Sequence, residues 1–231
     1  MQKKQFLWKI LALIGLAVIA GAIVLLYVFV LKPQPVEGVK KVELLFRVEE
    51  GETLEERRFE VETDANYLGE VLKALNAEYS LGMTDAEIEA GFLQQMLGVT
   101  APADGSKYFY YYTTNSALYD TEGEYFGGYV SYDGASYGAP DYGVNDATLA
   151  DGTNYLFVYT FWGQYGEDKP VPVLTAESVS AEVWLSDEAK SFDKRDADAK
   201  SLLITVCCVV GAAFVALSAL LVVEAVKAKK Q

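Results

Sequence analysis

Tyrosine and glycine dominate one stretch of the chain, and these residue types suit binding better than catalysis. Ten of the 16 tyrosines fall between Tyr108 and Tyr142, interleaved with glycines. A tyrosine side chain combines a broad apolar ring with a hydroxyl and loses little conformational entropy on contact. We therefore predict that a platform for a flat ligand, a sugar or a protein surface is formed by Tyr129, Tyr132, Tyr137, Tyr142 and Trp162. The alternative is that alternate tyrosines of these strands fill the core.

The chain lacks the residues of most catalytic and metal sites. It contains no histidine, the usual general base and metal ligand at neutral pH. Its two cysteines, Cys207 and Cys208, are adjacent in an apolar run and cannot pair with each other in ordinary geometry. The aspartates of the tyrosine-rich turns do not match the spacing of a calcium loop, and no carboxylate lies in an apolar context that would raise its pKa. We expect no enzyme activity, no cofactor and no bound metal.

Two apolar runs near the ends of the chain predict membrane spans. Residues 10–31 and 202–223 are each 22 residues long without a charge. At 1.5 Å per residue, each helix reaches roughly 33 Å, enough for a hydrocarbon layer of about 30 Å. We interpret the first run as an uncleaved signal anchor; the alternative is a cleaved secretory signal, since small residues at 20–22 offer a cleavage site. Small residues at four-residue spacing in both runs permit close helix contact.

The distribution of charge along the chain predicts its orientation in the membrane. Residues 33–200 hold 12 Lys or Arg and 32 Asp or Glu, a balance of −20, whereas both short tails are basic. Basic tails favour the cytoplasmic side, so we expect both termini to be cytoplasmic and the long middle to be extracellular at the cell membrane. Such an acidic domain would be repelled by phosphate, which argues against nucleic acid as a partner.

These features predict a division into seven segments. They are a basic cytoplasmic tail (1–9), a first transmembrane helix (10–31), a linker (32–39), an extracellular domain (40–186), a juxtamembrane segment (187–200), a second transmembrane helix (202–223) and a basic cytoplasmic tail (224–231).

Inside the extracellular domain, the pattern predicts strands, turns and a few short helices. Alternating apolar residues predict a hairpin over 40–62, and Thr63 and Asp64 are expected to cap a helix that carries Leu68, Val71 and Leu72. Thr84 with Glu87 resembles a capping box for a helix over 85–90, while residues 91–99 fit either a helix or a strand. Further strands are predicted at 108–113, 128–132, 155–161 and 179–185, with Asp-Gly turns at 133–134 and 151–152.

The order of four stretches resembles a family of bacterial surface domains, DUF4430, similar to the carboxy-terminal domain of transcobalamin and intrinsic factor. The stretches are TDANYLGEVLKAL (63–75), GFLQQMLGV (91–99), KYFYYYTTN (107–115) and LADGTNYLFVY (149–159). The resemblance implies an α+β, β-grasp-like mixed sheet with one helix, and it makes 91–99 a strand. In the vitamin B12 carriers this domain caps a corrinoid held against a second, helical domain, which this chain does not contain.

We therefore expect a membrane-anchored extracellular binding module that captures a small aromatic-stacking ligand, such as a corrinoid, for a membrane protein partner. The alternative is a non-catalytic structural or adhesion protein of a cell-surface or membrane assembly. The lipid bilayer is a partner in both cases.

Overall fold

The computed structural model describes residues 2–26, 33–121 and 127–228. The chain divides into two units, one of residues 33–193 and one of residues 1–32 with 194–231. The helices are α1 (Gln2–Leu26), α2 (Leu68–Tyr79), α3 (Asp85–Ala90) and α4 (Ser191–Ala228). The strands are β1 (Lys40–Glu50), β2 (Thr53–Thr63), β3 (Gln95–Met96), β4 (Val99–Thr100), β5 (Tyr108–Thr113), β6 (Tyr129–Tyr132), β7 (Ala135–Gly138), β8 (Asn154–Thr160) and β9 (Ser178–Val183).

A mixed seven-stranded sheet organises the larger unit. Its strand order is β6-β7-β5-β8-β1-β2-β9, with β1 parallel to β8, β2 parallel to β9 and the other pairs antiparallel. The predicted α+β class with a mixed sheet is confirmed. The larger unit contains both α2 and α3, so the single helix implied by the resemblance is an undercount.

The predicted hairpin is present as β1 and β2, with Leu44 opposite Phe59 and a turn at Gly51. Its apolar residues pack against the stripe Leu68, Val71, Leu72 and Leu75 of α2, where they form the main core. β1 is central, however, and Leu45 on its other face is also buried, in a second core under β6 and β7. A strand that has a core on each face of the sheet buries the side chains of both faces. An alternating pattern of apolar and polar residues does not predict this.

The predicted cap of α2 is wrong. Thr63 still belongs to β2 and its hydroxyl donates to the carbonyl of Val183 at 2.7 Å. Asp64 accepts the backbone N–H of Leu185 at 2.9 Å instead of starting a helix. The helix begins at Leu68, and the side chain of Glu70 reaches back to the backbone N–H of Tyr67 at 3.3 Å. Pairing with β9 extends β2 and moves the helix start.

The capping box of α3 is confirmed, because Glu87 N–H donates to Thr84 Oγ1 at 3.2 Å and Thr84 N–H donates to Glu87 Oε2 at 2.9 Å. Residues 91–99 are neither a helix nor a strand of the main sheet. Gly91 ends α3 with φ +85°, and β3 and β4 form a separate ladder of two residues each. Residues 91–94 are therefore a connecting segment.

The tyrosine-rich region forms strands where the sequence predicts them. β5, β6, β8 and β9 match the four predicted segments within two residues at each end. The Asp133-Gly134 turn is present, with φ +46° and φ +76°, and it joins β6 to β7. β7 was not predicted.

The backbone is helical over 2–26 and 191–228. The predicted first span, 10–31, runs past Leu26 into residues outside the described part. A Cβ placed on Gly21 of α1 would lie 3.6 Å from Sγ of Cys207 in α4, so these helices approach closely there. Within the described residues, no helix has both the length and the apolar character required to cross a bilayer.

Candidate functional site

A concave surface of the larger unit, here called the aromatic cleft, has a volume of about 750 Å³. That volume lies in the range of small-molecule sites, roughly 300–1,000 Å³. It is lined by residues 91–94, 108–112 and 140–144, with Gly127, Phe157 and Trp162. Its walls are therefore β5, the segment after α3 and the segment that leads from β7 towards β8.

β5 contributes side chains from both of its faces. Tyr108, Tyr110 and Tyr112 alternate with Phe109 and Tyr111, as the two-residue period of a strand requires. The ring centroids of Tyr108 and Tyr110 are 6.1 Å apart, and those of Tyr110 and Tyr112 are 5.1 Å apart, both edge to face. Phe109 and Tyr111 face the main core. Because side chains from both faces of β5 line the cleft, the cleft runs along the edge of this strand.

Two large aromatic side chains in the cleft are open to solvent. Phe92 is 73% exposed and Trp162 is 79% exposed. Exposure of apolar surface to water is unfavourable, at about 25 cal/mol per Å². A partner that covers these rings would therefore gain the free energy of burying them.

Hydrogen bonds hold the far wall of the cleft. The Tyr110 hydroxyl donates to the Pro140 carbonyl at 3.2 Å, and the Tyr111 hydroxyl donates to the Tyr142 carbonyl at 2.6 Å. Val144 N–H donates to the Gly91 carbonyl at 3.3 Å, which joins the two flanking segments. These hydrogen bonds therefore connect the walls of the cleft to one another.

The cleft is chemically a set of neutral phenols beside one carboxylate. Burial, and to a lesser extent the charge of Asp141, raises the pKa of Tyr110. Burial likewise raises the pKa of Tyr111 and of Tyr112. These hydroxyls therefore stay protonated at neutral pH and act as hydrogen-bond donors. Among the described residues of the lining, Asp141 is the one charged side chain.

The structure separates the five residues that the sequence grouped. Tyr142 and Trp162 both line the cleft. Tyr129 is half-buried, its ring 6.0 Å from that of Tyr119.

Tyr132 and Tyr137 are core residues, 4% and 2% exposed, so the predicted single platform does not form. Their rings meet edge to face at 5.7 Å, and the Tyr132 hydroxyl accepts the backbone N–H of Leu174 at 3.3 Å. The hairpin of β6 and β7 buries them because it turns these rings toward the sheet, where Leu45 and Leu156 lie.

Sequence reasoning missed the cleft residues Tyr108, Tyr110 and Phe92. The signal for the tyrosines was visible, since Tyr108, Tyr110 and Tyr112 lie on one face of β5 and alternate with the core residues of its other face. Phe92 carried no such signal, because its segment fitted both a helix and a strand.

No family model matches this chain, and no curated protein matches it. The chain is similar to a crystal structure from Ruminococcus gnavus ATCC 29149 described as a "putative metal binding protein". The similarity covers 53% of this chain and 97% of the other, at 18% identity and a TM-score of 0.34, and at that TM-score it carries no argument. Among the residues described in this chain, no three acidic or cysteine side chains are grouped to hold a metal ion. The resemblance to DUF4430 stays a prediction.

Proposed function

We propose that the larger unit is a non-catalytic binding module and that the aromatic cleft is its binding site. The observation that carries this proposal is the exposure of Phe92 and Trp162 in the same concave surface as Tyr108 and Tyr110. Rings held open to water beside protonated hydroxyls fit a ligand with flat apolar faces and hydrogen-bond acceptors.

The resemblance supplies a candidate for that ligand. If the domain is β-grasp-like and related to DUF4430, its first candidate ligand is a corrinoid or another ring compound that stacks on tyrosine. The chain would capture this ligand and pass it to a membrane protein partner.

The sequence supports a membrane setting for this module. Each apolar run has 22 residues without a charge, and both tails are basic. In this proposal the runs anchor the chain and the acidic unit lies outside the cell. Protease added to intact cells is expected to digest residues 33–200 and to leave both tails protected; digestion only after lysis contradicts this orientation.

Binding is tested on the full-length chain by thermal unfolding with cobalamin, cobinamide and glycans as probes. A ligand at 100 times its dissociation constant adds about 2.7 kcal/mol to stability. We expect a rise in Tm for at least one probe, and we expect Trp162→Ala to abolish that rise.

The matched control is Trp184→Ala, because Trp184 is 50% exposed but does not line the cleft. It should leave the rise in Tm intact. Equal loss in both variants, or no shift with any probe, contradicts capture of these ligands in the cleft.

A structural or adhesion role is the second candidate. The approach of Gly21 to Cys207 joins two helices of one chain, so it supports a packed helix pair as the part that an assembly would contact. Gly21→Leu would then change the size of the assembly in native electrophoresis without changing cleft binding. An unchanged size argues against this role.

A further inference from the structure

The edge of β5 that faces the cleft carries free main-chain groups. Thr114 N–H donates to the Asn154 carbonyl at 3.1 Å. This bond shows which residues of β5 form hydrogen-bonded pairs with β8 in the antiparallel ladder. Because hydrogen-bonding direction alternates along an antiparallel strand, Tyr112 and Tyr110 also point their main-chain groups at β8. The N–H and C=O groups of Phe109 and Tyr111 point the other way, toward the cleft.

β7 approaches this edge but does not cover it. β7 and β5 pair only at Thr113 and Gly138. Beyond that point Ala139 N–H donates to the Gly128 carbonyl, and Asp141 N–H donates to the Leu118 carbonyl at 2.9 Å. Pro140, between them, has no N–H to donate. In the part of the chain that the structure describes, no main-chain group therefore pairs with the edge at Phe109 and Tyr111.

The two outer edges of the sheet lack a comparable feature. Val171 N–H donates to the Ser131 carbonyl at 2.9 Å, so β6 is partly covered. β9 presents Ser178, Ser180 and Glu182 to solvent, and polar or charged side chains discourage pairing at an edge. Within residues 33–121 and 127–193, only the edge of β5 combines unpaired main-chain groups with an aromatic cleft.

We propose that the aromatic cleft binds an extended, basic segment of a partner polypeptide as an additional strand on β5. This inference rests on the proposed function, in that it assigns the occupant of the same site. Main-chain hydrogen bonds to Phe109 and Tyr111 would supply affinity, and alternate side chains of the added strand would lie beside Tyr108 and Tyr110 or beside residues 91–94. Such a strand satisfies the free edge, whereas a rigid ring compound leaves its donors and acceptors unpaired.

Charge determines the kind of segment. As far as the structure describes it, the cleft lining contains Asp141 and no lysine or arginine, and residues 33–200 carry a balance of −20. A segment with lysine or arginine between aromatic or β-branched residues complements this surface, while an acidic segment would be repelled.

The first test is selection of a display library of random octapeptides on the full-length chain in mild detergent. We expect enrichment of sequences in which basic residues alternate with aromatic or β-branched ones. Binding of the enriched peptide should weaken at least about tenfold in Tyr110→Ala and stay unchanged in Trp184→Ala. No enrichment relative to the Tyr110→Ala chain overturns the proposal.

The second test addresses the backbone directly, because a proline placed in β5 would also disturb the core. Two analogues of the enriched peptide are N-methylated, one at odd and one at even positions. Only one set of amides faces β5, so one analogue should bind at least about tenfold more weakly than the other. Equal effects of the two analogues overturn strand addition.

The outcomes separate this inference from the function on which it rests. If ring compounds raise Tm through Trp162 while no peptide is enriched, the cleft remains a binding site and strand addition is wrong. If neither probe depends on Tyr110 or Trp162, the cleft is not the site and both proposals are wrong.

Discussion

The hydroxyl of Tyr111 donates to the main-chain carbonyl of Tyr142 at 2.6 Å, and this bond joins β5 to the opposite wall of the aromatic cleft. Tyr111 is 6% exposed, so the bond is shielded from water. Residue 142 lies in a segment without regular secondary structure, and its position therefore depends on such side-chain contacts.

Tyr111→Phe should lower the free energy of unfolding by about 0.5–1.5 kcal/mol, because it removes one buried hydrogen bond and little else. Tyr110→Phe is the matched control, since its bond to the Pro140 carbonyl is longer, at 3.2 Å, and its side chain is less buried. Tyr110→Phe should lower the free energy of unfolding by a smaller amount. Urea denaturation of both variants measures the difference, and equal costs would show that burial of the bond does not matter.

Gly91→Ala should destabilise the chain and distort the cleft. Gly91 has φ +85°, and an added Cβ would clash with the side-chain amide of Asn145, whose Nδ2 donates to the Glu89 carbonyl at 3.0 Å and would have to move. Left-handed backbone costs a non-glycine residue roughly 1–2 kcal/mol, and here a steric clash adds to it. Gly134→Ala is the control, with φ +76° and open space around its Cβ. Thermal unfolding should show a larger loss for Gly91→Ala; a loss no greater than that of Gly134→Ala contradicts the clash.

Glu56→Ala should lower the free energy of unfolding by about 3 kcal/mol, because it removes the buried carboxylate partner of Arg47 and leaves that guanidinium with Glu49 and Tyr165. Side chains of Arg47 and Glu56 are 8% and 5% exposed, and Glu56 also accepts the Thr175 N–H at 2.8 Å. Glu55→Ala, which breaks an exposed pair with Arg57, should cost at most about 1 kcal/mol. Chemical denaturation of the two variants would refute this account if their costs were similar.

Glu70 should make stability depend on pH. Burial, and then the charge of Asp193, raises the pKa of Glu70 above 4.5, although backbone N–H groups of Tyr67, Asn66 and Phe192 oppose the shift. The expectation from the sequence that no carboxylate has a raised pKa is therefore wrong at Glu70, which tertiary packing buries. Its Oε1 is buried without a hydrogen-bond partner among the described residues. A carboxyl with a raised pKa binds more protons in the folded state, so its contribution is fully present below pH 4.5 and is lost as pH rises through the folded pKa.

The test compares the wild-type chain with Glu70→Gln in urea at several pH values between 4 and 7. The free energy of unfolding of the wild type should fall relative to that of Glu70→Gln as pH rises. Lys40 and Asp193 interact with the charge of Glu70, so the comparison reports the titration of Glu70 together with its effect on these two neighbours. A difference that is constant with pH would show that Glu70 titrates normally.

Individual residues show which features of the fold can be predicted from the sequence. The hairpin over 40–62, the capping box of Thr84 with Glu87 and the turn at Asp133 follow from local rules, and all three are confirmed. The cap at Thr63 failed because β9, more than 110 residues later, extends β2 by pairing with it. Local propensity yields to such distant pairing.

The sequence by itself determined β5 and β6 of the tyrosine-rich region, the acidic charge of residues 33–200 and the absence of histidine chemistry, since these depend on residue type and a period of two. Only the tertiary structure decided which tyrosines stay accessible. Alternation assigns each tyrosine to a face, but the packing of β6 and β7 decides that Tyr132 and Tyr137 are covered. β7 leaves β5 at Gly138, and in the described part of the chain no other strand pairs with the edge of β5 beside Tyr110.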